Sequence, residues 1–207
     1  STAPPPATDV TDGASLLSAG DLALPETADL ASLATTALHR AATATSAAIV
    51  KELLSMRADP DGGASRKDRG TTPLMLAASA PAINAAEGSA DDGSEAILDV
   101  ANLLLESGAS VNLPSPMQQT ASHMAAASGN TAVLRIFLSD RWASHLHARD
   151  MNKWSALFHA AHHGKMACVE LLLSHKAEVR VKDRWGFTPL CWSIANGHLD
   201  VLALLLD

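Results

Sequence analysis

The chain has 207 residues, 47% hydrophobic and 18% charged, with no tyrosine and 3% aromatic side chains. Its net charge of -7 argues against general nucleic-acid binding, which needs a positive surface, and no apolar run approaches the roughly 18–20 residues that span a bilayer, which argues against membrane insertion. Cys168 and Cys191 are too few for a disulfide framework and point to a reducing, cytoplasmic setting, with nucleus and cytoskeleton open.

Residues 1–31 are rich in Pro, Ala and Asp, and are predicted to form a poorly ordered tail. The first Lys or Arg is Arg40, so this segment lacks the basic start of a secretory or mitochondrial signal. Five openings follow, each with a hydroxyl residue at its head. They are Thr36-Ala37-Leu38, Thr72-Pro73-Leu74, Thr120-Ala121-Ser122, Ser155-Ala156-Leu157 and Thr188-Pro189-Leu190, and the first four continue into an Ala-Ala pair. A second helical stretch with leucines near its end follows each opening, as in Val50-Lys51-Glu52-Leu53-Leu54 and Val169-Glu170-Leu171-Leu172-Leu173. Gly129, Gly164 and Gly197 each lie nine residues after their opening, where a left-handed residue ends the first helix. The hydroxyl residue caps the first helix, and Pro at its first turn sacrifices no hydrogen bond.

Taken together, this pattern resembles the ankyrin repeat, a roughly 33-residue unit of β-turn plus two helices. The Thr-Pro-Leu tripeptides, Gly197-His198, and Gly108-Ala109-Ser110-Val111-Asn112 carry the likeness. The resemblance covers residues 32–207. It implies an all-α solenoid of about five helix-turn-helix repeats with β-turn fingers, stabilised by stacking because one repeat cannot bury its own apolar face. In the same frame, Leu16-Leu17-Ser18-Ala19-Gly20-Asp21 reads as the end of a degenerate capping half-repeat.

Departures from the pattern occur in the first three units and at the C-terminal end. Arg57 stands where glycine is usual, which predicts a distorted exit turn. Residues 80–94 form an acidic, small and polar insertion, predicted as a loop that is either a tolerated insertion or a recognition element. Ser122 and Arg141-Trp142 replace pattern residues of the third unit, which is expected to pack least regularly. At the end, Leu202, Leu205 and Leu206 lack a polar cap, so either further chain or a partner is expected to cover them.

The resemblance implies a concave surface of turn tips and first helices that reads a protein partner. Its candidate residues are Arg149, Met151, Asn152, Trp154, His162 and His163 in the fourth unit, and Lys182, Arg184, Trp185, Phe187 and Asn196 in the fifth. Met117, Gln118 and Gln119 hold the equivalent tip of the third. Trp and Arg dominate binding hot spots, and all seven aromatic residues lie at or after Phe137. The other reading of Trp154, Trp185 and Phe187 is that they fold over adjacent turns and stiffen the tips. Charge divides the same way: residues 1–140 hold 7 Lys/Arg against 16 Asp/Glu, and residues 141–207 hold 8 against 6.

No metal site, cofactor or catalytic group is expected. His39, His123 and His198 fall on positions where ankyrin repeats carry His. His159 belongs on an inner helix, with His162-His163 at its exposed end. No paired-cysteine motif accompanies them. Cys168 replaces an aliphatic residue and should be a buried hydrophobe, while Cys191 takes the place of the signature His. Glycine-rich phosphate loops and nucleophile elbows are absent. The expected function is that of a non-enzymatic scaffold or adaptor. The alternatives are the targeting segment of a larger multidomain enzyme and a structural subunit of a large assembly.

Overall fold

Among the described residues the helices follow one another as five pairs, a first helix and then a second. In the computed structural model, which describes residues 27–62, 70–80, 92–139 and 147–206, the pairs are α1 (Thr27–Thr43) with α2 (Ala47–Ser55), α3 (Pro73–Ser79) with α4 (Asp92–Glu106), α5 (Ala121–Ser128) with α6 (Thr131–Phe137), α7 (Ala156–His162) with α8 (Met166–Ser174), and α9 (Pro189–Ala195) with α10 (Leu199–Leu206). No strand occurs among the described residues. Capping chemistry sets several helix starts. Thr72 accepts a hydrogen bond from the Met75 N–H at 3.2 Å with Pro73 in the first turn, and Asn130 caps α6 by accepting from the Val133 N–H.

The first helices pack as one layer in the order α1, α3, α5, α7, α9, and the second helices as another in the order α2, α4, α6, α8, α10. Between them runs one continuous apolar core from Leu38 to Val201. Its smallest members, Ala42, Ala77-Ala78, Ala125-Ala126 and Ala160-Ala161, are all buried, so the alanine pairs let the helices approach closely. Leu53, Leu104, Leu134 and Leu172 on the second helices fill the same core. Cys168 is fully buried among them, and burial pushes its thiol up to about 11.

Histidine side chains join neighbouring units through backbone carbonyls. His39 Nε2–H donates to Thr71 O at 2.8 Å, His123 Nε2–H to Ala148 O and Trp154 O at 3.1 Å each, and His198 Nε2–H to His162 O at 3.0 Å. The last of these explains one glycine. A Cβ on Gly164 would lie 2.5 Å from His198 Nδ1, and its φ of +65° is itself left-handed.

Some boundaries differ from the sequence reading. Helix α1 begins at Thr27, inside the segment assigned to the tail, so Thr36 lies within the helix and does not cap it. The Ala- and Leu-rich stretch from residue 28 has strong helix propensity and no proline to set a start. Helix α4 likewise begins at Asp92, shortening the insertion from its C-terminal side. The turn at Arg57 is not distorted. Arg57 adopts φ +62°, and Ala58 N–H reaches Leu53 O at 3.0 Å, the same closure that Ala109 makes to Leu104 after Gly108. Left-handed backbone costs a non-glycine residue about 1–2 kcal/mol, which the surrounding packing absorbs.

Helix α5 does not depart from the stack, since Ser122 is accommodated as a buried residue between α3 and α7. Residues 1–26, 81–91 and Arg141-Trp142, on which the tail, the proposed half-repeat, most of the insertion and part of the third unit's exit fall, lie outside the described residues. At the C-terminal end Val201 is buried, Leu202 and Leu205 are half-buried, and Leu206 is 68% exposed.

Candidate protein-binding surface

Three successive fingers share one backbone plan. The turns open at Ser115, Asp150 and Asp183, whose carbonyls accept from the N–H groups of Gln118 (2.7 Å), Lys153 (2.9 Å) and Gly186 (3.2 Å). Each acceptor turn places Ser or Asp at its first position and a left-handed residue at its fourth, the pattern of a turn closed by a bulge. The first residue also locks the loop with its side chain. Asp150 Oδ1 accepts from the N–H groups of Asn152 and Trp154, and Asp183 Oδ1 from those of Trp185 and Phe187. Ser115 Oγ does the same for Gln119 N–H.

The outermost residues of the tips are therefore Pro116-Met117, Met151-Asn152 and Arg184-Trp185. Backbone bonds tie them into a row: Met151 N–H donates to Met117 O and Arg184 N–H to Asn152 O, both at 3.0 Å. Met117, Met151, Trp185 and Phe187 stand 62%, 53%, 54% and 50% exposed. Lys153, Lys182 and Arg184 are also exposed, with the Arg184 guanidinium 5.2 Å from the centre of the Trp185 ring.

Trp154 corrects the sequence reading, for it is 9% exposed and cannot serve as an open anchor. Its ring stacks on Phe158 at 6.0 Å and meets Trp192 edge-on at 5.1 Å. Its indole N–H donates to Asp183 Oδ2 at 3.3 Å, and the Trp192 N–H donates to the same oxygen at 2.9 Å. Burial alone would raise the Asp183 carboxyl, but the bonds from Trp192, Phe187, Trp185 and Trp154 outweigh it and hold the group below its ordinary value. Asp150 is kept low in the same way, against burial, by His159 Nε2–H at 3.1 Å and two backbone N–H groups.

The remaining candidates divide. His162 lies within the aromatic cluster, 5.1 Å from Trp154 and 5.4 Å from Trp192, with Nδ1 buried and unpartnered. Burial, then repulsion from His159 and His198, lowers its pKa. His163 is exposed beside it, its pKa lowered mainly by burial and then by His162. Asn196 is spent on structure, since its Nδ2 donates to His162 O and Trp192 O. Arg149 turns to Glu178 at 3.3 Å in an exposed ion pair, a contact worth at most about 1 kcal/mol. The structure thus brings Trp185 and Phe187 against Trp192, with Arg184 over Trp185, and pairs Arg149 with Glu178.

Sequence reasoning missed Asp150, Asp183 and Trp192. The signal was present: Asp stands five residues before Ser155 and Thr188, which open α7 and α9 without a side-chain capping bond, and an aromatic residue immediately precedes each. A cleft of about 220 Å³ lined by Phe187, Cys191, Trp192 and Ala195 adjoins the cluster. Cys191 is exposed there, with Thr188 Oγ1 at 3.3 Å from its sulfur. Bonds to Thr188, side chain first and then backbone, lower its thiol pKa. Among the described residues no three His, Cys, Asp or Glu side chains converge as metal ligands would.

A family model for ankyrin repeats in three copies matches residues 89–183 and 123–207, and one for a single ankyrin repeat matches residues 35–63. The chain is similar to Neurogenic locus notch homolog protein 1 of Xenopus tropicalis, 35% identical over 108 residues, which are 52% of this chain and 4% of that protein. It is 34% identical to Inversin of Canis lupus familiaris over 113 residues, 53% of this chain and 10% of that one. A shorter match, 47% over 57 residues, is to Serine/threonine-protein kinase 12 of Arabidopsis thaliana and covers 28% of this chain and 12% of that protein. The chain therefore spans a small fraction of the length of these relatives.

Proposed function

Because this chain belongs to the ankyrin-repeat family, whose stacked units present turn tips and first helices along one concave side, we propose that it is a non-catalytic scaffold or adaptor binding a protein partner through the tips of its last three units. The observation that carries the reading is the row of exposed Met117, Met151, Trp185 and Phe187 on a surface held rigid by Asp150 and Asp183. Large apolar side chains left exposed together on an ordered frame mark interaction sites, and a preorganised frame lowers the entropy lost on binding. The two unpaired cysteines, Cys168 and Cys191, suit the cytoplasm.

The test compares wild type with the triple variant Arg184→Ala, Trp185→Ala, Phe187→Ala in affinity capture from native extract, with helical content checked by circular dichroism. A set of proteins retained by wild type should fall by about tenfold or more in the variant. Identical capture by the two would remove this surface from consideration.

A second reading is favoured by the relatives' greater length: the stack is the targeting module of a larger enzyme. Determination of the native polypeptide's mass separates the two. A species near the mass of 207 residues leaves no room for a catalytic domain.

A further inference from the structure

Every charge that the tips expose has one sign. Within residues 115–120, 149–155 and 182–188 the acids are Asp150 and Asp183, each 5% exposed with its oxygens occupied by N–H groups. The exposed charges are Arg149, Lys153, Lys182 and Arg184, and Arg149 is engaged by Glu178. This positive strip sits on a chain whose net charge is -7.

The apolar groups of the strip form two patches. Met117 and Met151 stand on adjacent tips, linked by the backbone bond from Met151 N–H to Met117 O. Trp185 and Phe187 make the second patch on the next tip. Packed helices stand about 8–10 Å apart, and the patches are separated by one and a half units, hence roughly 12–15 Å. An extended chain advances about 3.3 Å per residue and crosses that gap in about four residues. A helix advances about 1.5 Å per residue, so its side chains four apart fall roughly 6–9 Å short.

Resting on the reading of the tips as a protein-binding surface, we infer that the partner is an extended acidic segment with two apolar side chains four residues apart. One apolar side chain seats on Met117 and Met151, the other on Trp185 and Phe187. The acidic residue midway between them, on the same face of the extended chain, meets Lys153, Lys182 and Arg184. Single-stranded nucleic acid could also use cations and aromatic rings. The methionine patch, which offers no ring for stacking, and the negative net charge favour the peptide.

The probe is a fluorescein-labelled peptide, Gly-Leu-Thr-Glu-Thr-Leu-Gly, its threonines favouring an extended chain that puts both leucines and the glutamate on one face. Fluorescence anisotropy should show binding that weakens with added salt. Moving the leucines next to each other, or replacing the glutamate with lysine, should weaken it about tenfold or more. Met151→Ser and Trp185→Ala should weaken it similarly, and Met56→Ser, on an exposed residue away from the tips, should not. Equal affinity for the rearranged or lysine peptide, tighter binding of a thymidine oligonucleotide, or no binding up to about 1 mM would each overturn the inference. If the peptide fails while extract proteins are still lost from the triple tip variant, the extended acidic segment is wrong and the surface stands. If capture also goes unchanged, both fall.

Discussion

Asp183 supplies the sharpest test of how the last finger is held. Its Oδ2 takes the indole N–H groups of Trp192 at 2.9 Å and Trp154 at 3.3 Å, and its Oδ1 takes two backbone N–H groups at 2.9 Å each. Asp183→Asn keeps the size but leaves one acceptor oxygen. With that oxygen on the backbone side, the new NH₂ group confronts two indole donors; flipped, it confronts two backbone donors. Either way two donors lose their acceptor, at about 1–3 kcal/mol for each that is buried. Trp192 is half-buried and water can reach it, and the Trp154 bond is long, so the lower end applies, roughly 2–3 kcal/mol. Urea denaturation followed by far-ultraviolet circular dichroism gives the stability loss. Repeating the substitution in a Trp192→Phe background should reduce that loss by about 1 kcal/mol, the coupling expected between contacting groups. A loss below about 0.5 kcal/mol, or an identical loss in both backgrounds, would refute the account of Asp183 as the acceptor that organises the tip.

Trp154→Ala should destabilise by about 3–5 kcal/mol because it empties a packed site, whereas Trp185→Ala should stay within about 0.5 kcal/mol while weakening partner binding; denaturant midpoints and the peptide titration distinguish them. Gly164→Ala should cost about 2–4 kcal/mol, since left-handed strain adds to collision with His198 and loss of its bond to His162 O. Gly197→Ala meets nothing within 4 Å and should cost only about 1–2 kcal/mol by the same denaturation assay. His123 provides a pH signature: burial, then repulsion from His159, lowers it from 6.5 to about 4. The unfolded chain takes up this proton first, so stability is intact above about pH 6.5 and declines as pH falls toward 4, by about 3 kcal/mol in all. Unfolding free energies measured across that window should lose this slope in His123→Asn.

The solenoid was legible because its signals are local and repeated. Thr72-Pro73 opens and caps α3, and a buried alanine pair reads the same in four units. The joining histidines were also visible, since Thr120 and His123 sit three apart on one helix turn and bond each other. What escaped was the direction of individual side chains at the tips. Trp154 and Phe187 occupy equivalent positions, yet the fifth unit's Asp183 and Trp192 close over Trp154, while Phe187 stands half exposed. That difference depends on the neighbour, and sequence position within a repeat does not encode it. Arg57 failed as a prediction for a related reason: a backbone conformation that glycine prefers can be imposed on arginine by the packing of Leu53 and Ala58.

The aromatic clustering also decides what light can report about this molecule. All four tryptophans, Trp142, Trp154, Trp185 and Trp192, fall after residue 140, and the last three form contiguous pairs with centroids 5.1 and 6.5 Å apart. Intrinsic emission is thus a gauge fixed to one end of the stack, while circular dichroism averages over every helix. In a molecule held together by contacts between neighbours, melting can begin at one end and travel. The gap between the two melting curves would then measure, without any label, how far the loss of the fifth unit is felt by the first.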